Sequence, residues 1–518
     1  MKIGVLGCFY GSADLLPQVL EPWKILKTEA ESMPRSDLGR IEVVVAGVNA
    51  QFKEYAELGY PNDDAETRAV LKKELSDGFF DFLRISPVPL SEKDARNIPL
   101  QYLLDQKVDM VWMLDGDETY TAEQLKKILE YVQKTPEYDY YHVHFDNYVF
   151  GDTKWGDDFF PPRIFRTGRS GGIAGFTFDN ELAFADGSKL YDRTPGIVPK
   201  RVAHVRHDTW RLVDAERKIA YQRKHFGYCM FKISAPSTVE PDPEYFARHQ
   251  MPLPTAKDEG IISSRKPAVD VIVRSHLGPN VHGGPRVIDT LGGKEELMVR
   301  ALRSIMYSLN RLERRNDYTI RLHVLDDHSA PQLVVRFQEM LSLAPFETNF
   351  VSLSASGNGP SLRAQYDYAR THADNLIYFV EDDYLHEETA LEEMVDAYYR
   401  FSRNMGQPVG IFPIDYVHLY EADRIAVTRV VAGSRRHWRL ITESTCTFMV
   451  HKSVLDRHWN KFVELSENGV IESTTINAVW RDAVPLFSPI PTLTYHMHWE
   501  ELMPPFSNWR RLWDRLSV

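Results

Sequence analysis

The feature that most constrains this chain is an apolar run that ends in acidic residues and leads into a helix, and it occurs twice. In the first half, VDMVWML is followed by DGDE at residues 115–118. In the second half, NLIYFV is followed by EDD at residues 381–383. Apolar runs of this length are typical of buried parallel strands. Each acidic group is therefore expected at the carboxyl edge of a sheet, where open α/β sheets bind ligands.

The residues around the two acidic groups also match. Thr121 begins TAEQ and Thr389 begins TALE, and both sequences fit the capping box of a helix start. Upstream, Arg96 and Arg363 stand at nearly the same distance before the first acid of each group. Apolar residues then recur at the helical spacing i, i+3, i+4, i+7, namely Leu125, Ile128, Leu129 and Val132, then Leu391, Met394, Val395 and Tyr398. Four features in one order predict a duplicated α/β unit.

A change in composition near the middle of the chain predicts the domain boundaries. The chain has 518 residues, more than one core usually holds. Residues 233–267 are rich in Pro and Ser and lack periodicity, and a strand-like run, AVDVIVRSH, follows them. We expect an N-terminal domain at residues 1–232, a linker at 233–267 and a C-terminal domain at 268–518.

Charge and apolar content exclude some classes of partner. The net charge of −12 disfavours general binding to nucleic acid or anionic lipid. The N-terminus is typical of a first strand rather than a signal peptide, and we expect no membrane span. Cys8, Cys229 and Cys446 lie far apart and predict buried, reduced thiols. A cytoplasmic protein is the expectation.

Crowded carboxylates at a strand end repel one another unless a cation lies between them. Mg²⁺ or Mn²⁺ is the expected partner, since both accept oxygen ligands and leave positions open for phosphate. A calcium loop is excluded, because Tyr120 and Lys126 occupy the sixth and twelfth positions counted from Asp115, where Gly and Glu are needed.

These motifs resemble two tandem glycosyltransferase domains of the GT-A type, similar to the inverting family 2. The resemblance implies an α/β fold with a Rossmann-like sheet in each domain and a metal that binds the donor diphosphate. The metal ligands it implies are Asp115, Asp117, His204, Glu381, Asp383 and His496.

The same resemblance implies donor-binding and catalytic residues. PPRIFRTG resembles the arginine segment of the family, and HVLDDHSAP resembles the strand that ends at a base-binding Asp, where the first half has Asn49 instead. The general bases it implies are Glu181 and Glu472. The donor-binding residues it implies are Asn49, Arg96, Asp115, Arg163, Arg166, Asp326, Asp327, Arg363 and Glu381.

The implied activity is transfer of a sugar from a UDP-, GDP- or dTDP-sugar to a hydroxyl group with inversion. The acceptor is expected to be a glycan or another hydroxyl compound, and the acidic charge disfavours a hydroxymethylated DNA base. A nucleotidyltransferase is one alternative, although GCFYGSADLL is a poor match to its glycine-rich loop. A protein that binds a nucleotide sugar or a glycan, with one or both domains inactive, is the other.

Overall fold

The chain folds into two compact units, Met1–Arg265 (unit 1) and Lys266–Val518 (unit 2). The computed structural model describes residues 1–32, 41–149, 153–154, 159–168, 172–178, 181–210, 215–227, 229, 231–235, 238–248, 256–257, 260–261, 266–276, 291–420, 428–498, 503–504 and 506–517.

Unit 1 alternates strands and helices in its first half. Its helices are α1 (Leu16–Ser32), α2 (Lys53–Glu57), α3 (Ala65–Ser76), α4 (Glu92–Asp105), α5 (Ala122–Lys134), α6 (Ala215–Phe226) and α7 (Pro243–Arg248). Its strands are β1 (Lys2–Phe9), β2 (Glu42–Asn49), β3 (Phe82–Ile85), β4 (Met110–Asp115), β5 (Glu118–Thr119), β6 (Tyr140–His142), β7 (His144–Val149), β8 (Thr153–Lys154), β9 (Pro162–Arg166), β10 (Ile173–Phe178), β11 (Glu181–Phe184), β12 (Gly196–Ile197), β13 (His204–Trp210), β14 (Phe231–Ala235), β15 (Thr238–Pro241), β16 (Ala256–Lys257) and β17 (Gly260–Ile261).

Unit 2 repeats that alternation. Its helices are α8 (Lys294–Arg314), α9 (Pro331–Ser342), α10 (Asn358–His372), α11 (Ala390–Met405), α12 (Lys452–Arg457), α13 (Trp459–Glu467), α14 (Ile476–Asp482) and α15 (Trp509–Arg515). Its strands are β18 (Ala268–Ser275), β19 (Thr319–Asp326), β20 (Glu347–Ser352), β21 (Leu376–Glu381), β22 (Tyr384–His386), β23 (Gly410–Ile411), β24 (Val430–Ala432), β25 (His437–Ile441), β26 (Phe448–His451), β27 (Leu486–Ile490) and β28 (Thr494–His496).

The two main sheets begin with the same strand order. In unit 1 the order is β3-β2-β1-β4 with all four strands parallel, followed by the antiparallel β9. In unit 2 it is β20-β19-β18-β21, again parallel, followed by the antiparallel β26. The predicted α/β class is confirmed. In each unit the strand that ends in acids lies beside the first strand, so both acidic groups lie at the carboxyl edge of a parallel sheet.

Apolar strands and amphipathic helices build each core as their patterns predict. All four apolar residues predicted on α5 are fully buried. In unit 2, the apolar face of α11 joins the core and contacts α8 and β23. Helices cover parallel strands on both faces because such strands carry apolar side chains on both sides.

One of the two predicted capping boxes forms. Thr121 accepts a hydrogen bond from the Gln124 amide, and the Gln124 side chain accepts one from the Thr121 amide. The box predicted at Thr389 is wrong, because Glu392 is buried and accepts a hydrogen bond from Arg311 at 3.1 Å instead. Burial of a charged pair leaves that carboxylate no freedom to cap the helix.

The chain around the predicted linker is more structured than its composition indicates. Its described residues form β15 to β17 and α7, and the first unit extends to Arg265. Antiparallel pairing of β14 with β15 and of β16 with β17 satisfies backbone groups locally.

The three cysteines are free and buried, as predicted. Among the described residues, no helix combines the length and apolar character that a membrane crossing needs.

Candidate functional site

The first acidic group lies beside a cavity of about 390 Å³ in unit 1. Asp115 is the last residue of β4, and Asp117 follows in the turn to β5. Both line the cavity, together with the ends of β1 and β2. A cavity of this size falls in the range that holds small-molecule ligands.

Two arginines hold the Asp115 carboxylate from both sides. Arg96 Nη1 lies 3.2 Å from Oδ1, and Arg163 Nη2 lies 3.3 Å from Oδ2. Arg163 also donates to Glu118 Oε1, from Nε at 2.8 Å and from Nη2 at 2.5 Å. Burial raises the pKa of Glu118 to about 8 although Arg163 opposes the shift. Arg96 and Arg163, both predicted as donor-binding residues, therefore lie at the first acidic group with their guanidinium groups already engaged by carboxylates.

Asp117 faces two basic side chains. His207 Nε2 lies 3.5 Å and Lys218 Nζ lies 4.0 Å from Asp117 Oδ2. Burial by itself raises the pKa of Asp117, but the charges of His207, Lys218 and Arg163 outweigh it and lower the pKa below its usual range. The carboxylate is therefore held in its ionised form.

The histidine beside Asp117 is His207, whereas the predicted one was His204. His204 pairs with Asp146, and half of its side chain is exposed. The two histidines are three positions apart on β13, so they point to opposite faces of the strand. A signal was present in the sequence, because His207 has the same parity as the apolar Val205.

Asn49 lies behind the cavity wall and does not line it. Its side chain is fully buried and donates to the Phe9 carbonyl at 2.9 Å and to Asp64 at 2.7 Å. Its amide oxygen accepts a hydrogen bond from Arg68 at 3.0 Å. These contacts hold the ends of β1 and β2 together, and they use both polar ends of the amide.

Arg166 and Glu181 also lie away from the cavity lining. Arg166 donates to the Val132 carbonyl at 2.6 Å, on the face of β9 opposite to Arg163. Glu181 begins β11 and accepts a hydrogen bond from Thr177 at 3.4 Å. The three-residue spacing from Arg163 explains the position of Arg166, since side chains alternate along a strand.

Helix α6 contributes cavity residues that the sequence analysis missed. Arg217, Lys218 and Tyr221 all line the cavity. The Tyr221 ring stacks on Tyr55 with centroids 4.9 Å apart, and Arg217 lies 5.1 Å from the Tyr55 ring centroid. Their i, i+1, i+4 spacing on one helix face was the signal available in the sequence.

In unit 2, a different partner meets each acid. Glu381 accepts a hydrogen bond from Arg274 at 2.6 Å, and Lys294 lies 3.3 Å from Asp382. Asp383 faces two histidines, with His496 Nε2 at 3.3 Å and His498 Nδ1 at 3.9 Å from its Oδ2.

The second unit repeats the acid–histidine geometry of the first in the same register. β5 pairs antiparallel with β13, which places His207 opposite Glu118. β22 pairs antiparallel with β28, which places His496 opposite Tyr384. The backbone amide after each histidine donates at 2.9 Å to the carbonyl of Asp117 or Asp383. His207 and His496 are thus structurally equivalent, because each lies on the neighbouring strand opposite the residue that follows Asp117 or Asp383.

Asp383, His496 and His498 fit a metal ion. One ligand atom from each lies within 4.8 Å of the others, the one such group of three among the described residues. Asp383 Oδ1 is buried without a hydrogen-bond partner in the described part of the chain. His496 Nδ1 lies 2.8 Å from the Tyr416 hydroxyl, an outer contact that orients Nε2 toward Asp383. A carboxylate that faces two imidazoles through Oδ2 and keeps Oδ1 without a hydrogen-bond partner in the described residues is a donor set that fits a transition metal.

Arg363 does not approach Glu381, unlike Arg96 at Asp115. It pairs with Asp367 at 3.0 Å on an exposed face of α10. The buried face of α10 carries Leu362 one position earlier, and one residue rotates a helix by about 100°. Arg274 on β18 supplies the guanidinium instead, at the register position paired with Glu381.

Of the two aspartates predicted to bind the donor, Asp326 is the last residue of β19 and Asp327 follows it, and both are buried. Asp326 accepts hydrogen bonds from the Ser275 hydroxyl at 2.8 Å and the Ser329 amide at 3.0 Å. Asp327 accepts one from the Gly357 amide at 2.8 Å. These bonds fasten the loops at the carboxyl edge.

Glu472 lies close to the second acidic group. Its carboxylate is 3.9 Å from the Cys446 thiol, and burial followed by the charge of Glu381 raises its pKa. A raised pKa is one of the features that mark a glutamate as a candidate for acid–base chemistry.

Comparison with known proteins finds partial matches among solved structures. The chain matches no protein-family model and no curated protein. Among solved structures, S. aureus TarS 1-349 in complex with UDP matches at 15% identity and a TM-score of 0.21, over 29% of this chain and 36% of that one. The structure of S. aureus TarS 1-349 matches at 14% identity and a TM-score of 0.22, over 32% of this chain and 47% of that one. Each match thus covers less than half of this chain and less than half of the solved chain. TM-scores this low support no assignment of fold or function.

Proposed function

We propose that the chain is a glycosyltransferase with two tandem GT-A domains, which moves a sugar from a nucleoside-diphosphate donor to an acceptor hydroxyl with inversion. The observation that carries the proposal is the acid–histidine pair built twice in one register. Asp117 with His207 and Asp383 with His496 both lie at the carboxyl edge of a parallel sheet. Duplication of a ligand-binding edge supports chemistry on one class of donor in both units.

Departure of a nucleoside diphosphate leaves new negative charge on its oxygens, and positive groups must neutralise it. In unit 2 the residues that would hold a divalent ion are Asp383, His496 and His498. Bound by these residues, a divalent ion would supply Lewis-acid stabilisation of the leaving diphosphate. Of the two ions considered, the imidazole ligands favour Mn²⁺ over Mg²⁺, because Mg²⁺ prefers oxygen.

An inverting transfer needs a base that accepts the proton of the acceptor hydroxyl. In unit 2 we assign this role to Glu472, because its position near Glu381 and its raised pKa suit proton acceptance. Glu181 stays a prediction for unit 1. The main alternative is a protein that binds nucleotide sugars without turning them over.

A donor-hydrolysis screen tests the proposal. The full chain is incubated with UDP-, GDP- and dTDP-sugars, in Mn²⁺, Mg²⁺ or EDTA, and release of nucleoside diphosphate is followed. We expect nucleoside diphosphate release from one donor class, fastest in Mn²⁺. In Asp383→Asn, the Mn²⁺-dependent part of the release rate should fall at least tenfold. The matched control is Asp317→Asn, an aspartate 57% exposed and paired with Arg315.

Release that is equal in wild type and Asp383→Asn would contradict the assignment of unit 2. Binding of nucleoside diphosphate without release from any donor would favour the binding-protein alternative. If the chain neither binds a nucleoside diphosphate nor releases one from any donor, the proposed function is overturned.

A further inference from the structure

The unit 1 cavity differs from the unit 2 site in what surrounds its acids. Both oxygens of Asp115 already face a guanidinium group, Arg96 on one side and Arg163 on the other. Asp117 faces His207 and Lys218. Basic side chains of the protein therefore already surround Asp115 and Asp117, the two carboxylates that the resemblance assigns to a metal. This arrangement does not fit a divalent ion.

Glu118 gives a metal no additional ligand. Its side chain is completely buried, with an accessible fraction of 0%, and it does not line the cavity. Unit 2 contrasts with this arrangement, because Asp383 faces two imidazoles and one ligand atom from each of these three residues lies within 4.8 Å of the others.

Helix α6 brings cationic and aromatic side chains to the same cavity. Arg217 and Lys218 both line it, and the Lys218 side chain is 26% exposed. An ammonium group binds phosphate as a point charge, and a guanidinium group binds it through paired hydrogen bonds. The stacked rings of Tyr55 and Tyr221 lie on the same wall and offer an aromatic surface to a base.

We propose that unit 1 binds a nucleoside diphosphate without a divalent ion, with Lys218 and Arg217 neutralising the diphosphate and Tyr55 and Tyr221 contacting the base. Unit 2 then depends on a metal at Asp383, His496 and His498. The inference rests on the proposed function, because it names the ligand class and the charge balance of the first site.

Hydrogen–deuterium exchange of the full chain separates the two sites, because each peptide reports on its own unit. The probes are UDP, GDP and dTDP, each added in Mn²⁺ or in EDTA. We expect protection of peptides from α6 and β4 in both conditions. The nucleotide should protect peptides from β21 and β28 when Mn²⁺ is present and should not protect them in EDTA. In Lys218→Gln, the nucleotide concentration needed to protect the unit 1 peptides should rise at least tenfold. The concentration needed to protect the unit 2 peptides should not change.

Lys224→Gln is the matched control, since it removes the same charge from the same helix. Lys224 pairs with Glu57 at 2.8 Å and does not line the cavity. Exchange of the α6 peptides without ligand shows that each variant is folded.

Protection of α6 and β4 that appears in Mn²⁺ and vanishes in EDTA would overturn the inference and leave the proposed function standing. An equal response of Lys218→Gln and Lys224→Gln would overturn the role of Lys218. Absence of protection in both units with every probe would instead count against the proposed function.

Discussion

Among single side chains, Glu472 offers the sharpest test of chemistry. A base works in its deprotonated form, and burial raises the pKa of Glu472. The turnover rate should therefore fall as the pH drops through a pKa above that of an ordinary glutamate, and should level off above it. Glu472→Gln should lose that limb of the profile and about 10²- to 10⁴-fold in rate, with donor binding retained.

The control for this prediction is Glu464→Gln, a glutamate 39% exposed that pairs with Lys461. Its pH profile should match that of the wild type. If Glu472→Gln keeps both the rate and the acidic limb, the base in unit 2 is another group.

Single side chains also show where prediction from sequence stops. The residue types at both acidic groups were predicted from their order along the chain, and the structure places Asp115 beside Arg96 and Asp383 beside His496. Helical spacing alone did not place Arg363, because its position on α10 puts it on an exposed face, paired with Asp367 and away from Glu381. Local spacing identifies candidates, while the face they occupy depends on packing.

For individual helices, the cap of α5 predicts a measurable stability difference. Thr121→Ala removes the hydroxyl that accepts the Gln124 amide hydrogen bond. We expect the free energy of unfolding of unit 1 to fall by about 1 kcal/mol, the usual effect of losing such a cap. Denaturant unfolding followed by hydrogen exchange of α5 peptides measures it.

Thr121→Ser is the control, because serine keeps the capping hydroxyl and should change the free energy of unfolding little. A loss as large for Thr121→Ser as for Thr121→Ala would mean that the threonine methyl group, rather than the cap, stabilises α5.

For a whole folded unit, a buried histidine predicts acid sensitivity. His386 in unit 2 is 1% exposed, and its Nε2 lies 2.8 Å from the Tyr378 hydroxyl. Burial lowers its pKa from 6.5 to about 3. The unfolded state therefore binds the proton first, so unit 2 loses stability as the pH falls from about 6.5 toward 3, by roughly 1.4 kcal/mol for each pH unit.

Measuring the free energy of unfolding of unit 2 against pH tests this expectation. His386→Gln should show a shallower slope between those pH values, whereas the exposed His437→Gln should keep the slope of the wild type. Equal slopes in wild type and His386→Gln would show that other groups dominate the acid response.

The sequence by itself determined the α/β class, the duplicated order of strand, acids and helix, and the inventory of carboxylates at each strand end. These features depend on periodicity, which neighbouring residues specify locally. Only the tertiary structure decided that His207 rather than His204 meets Asp117 and that Arg274 rather than Arg363 meets Glu381. It also brought α6 to the first cavity. The physical reason is that strand pairing and helix docking join residues distant in sequence, and their register sets which side chain faces the site.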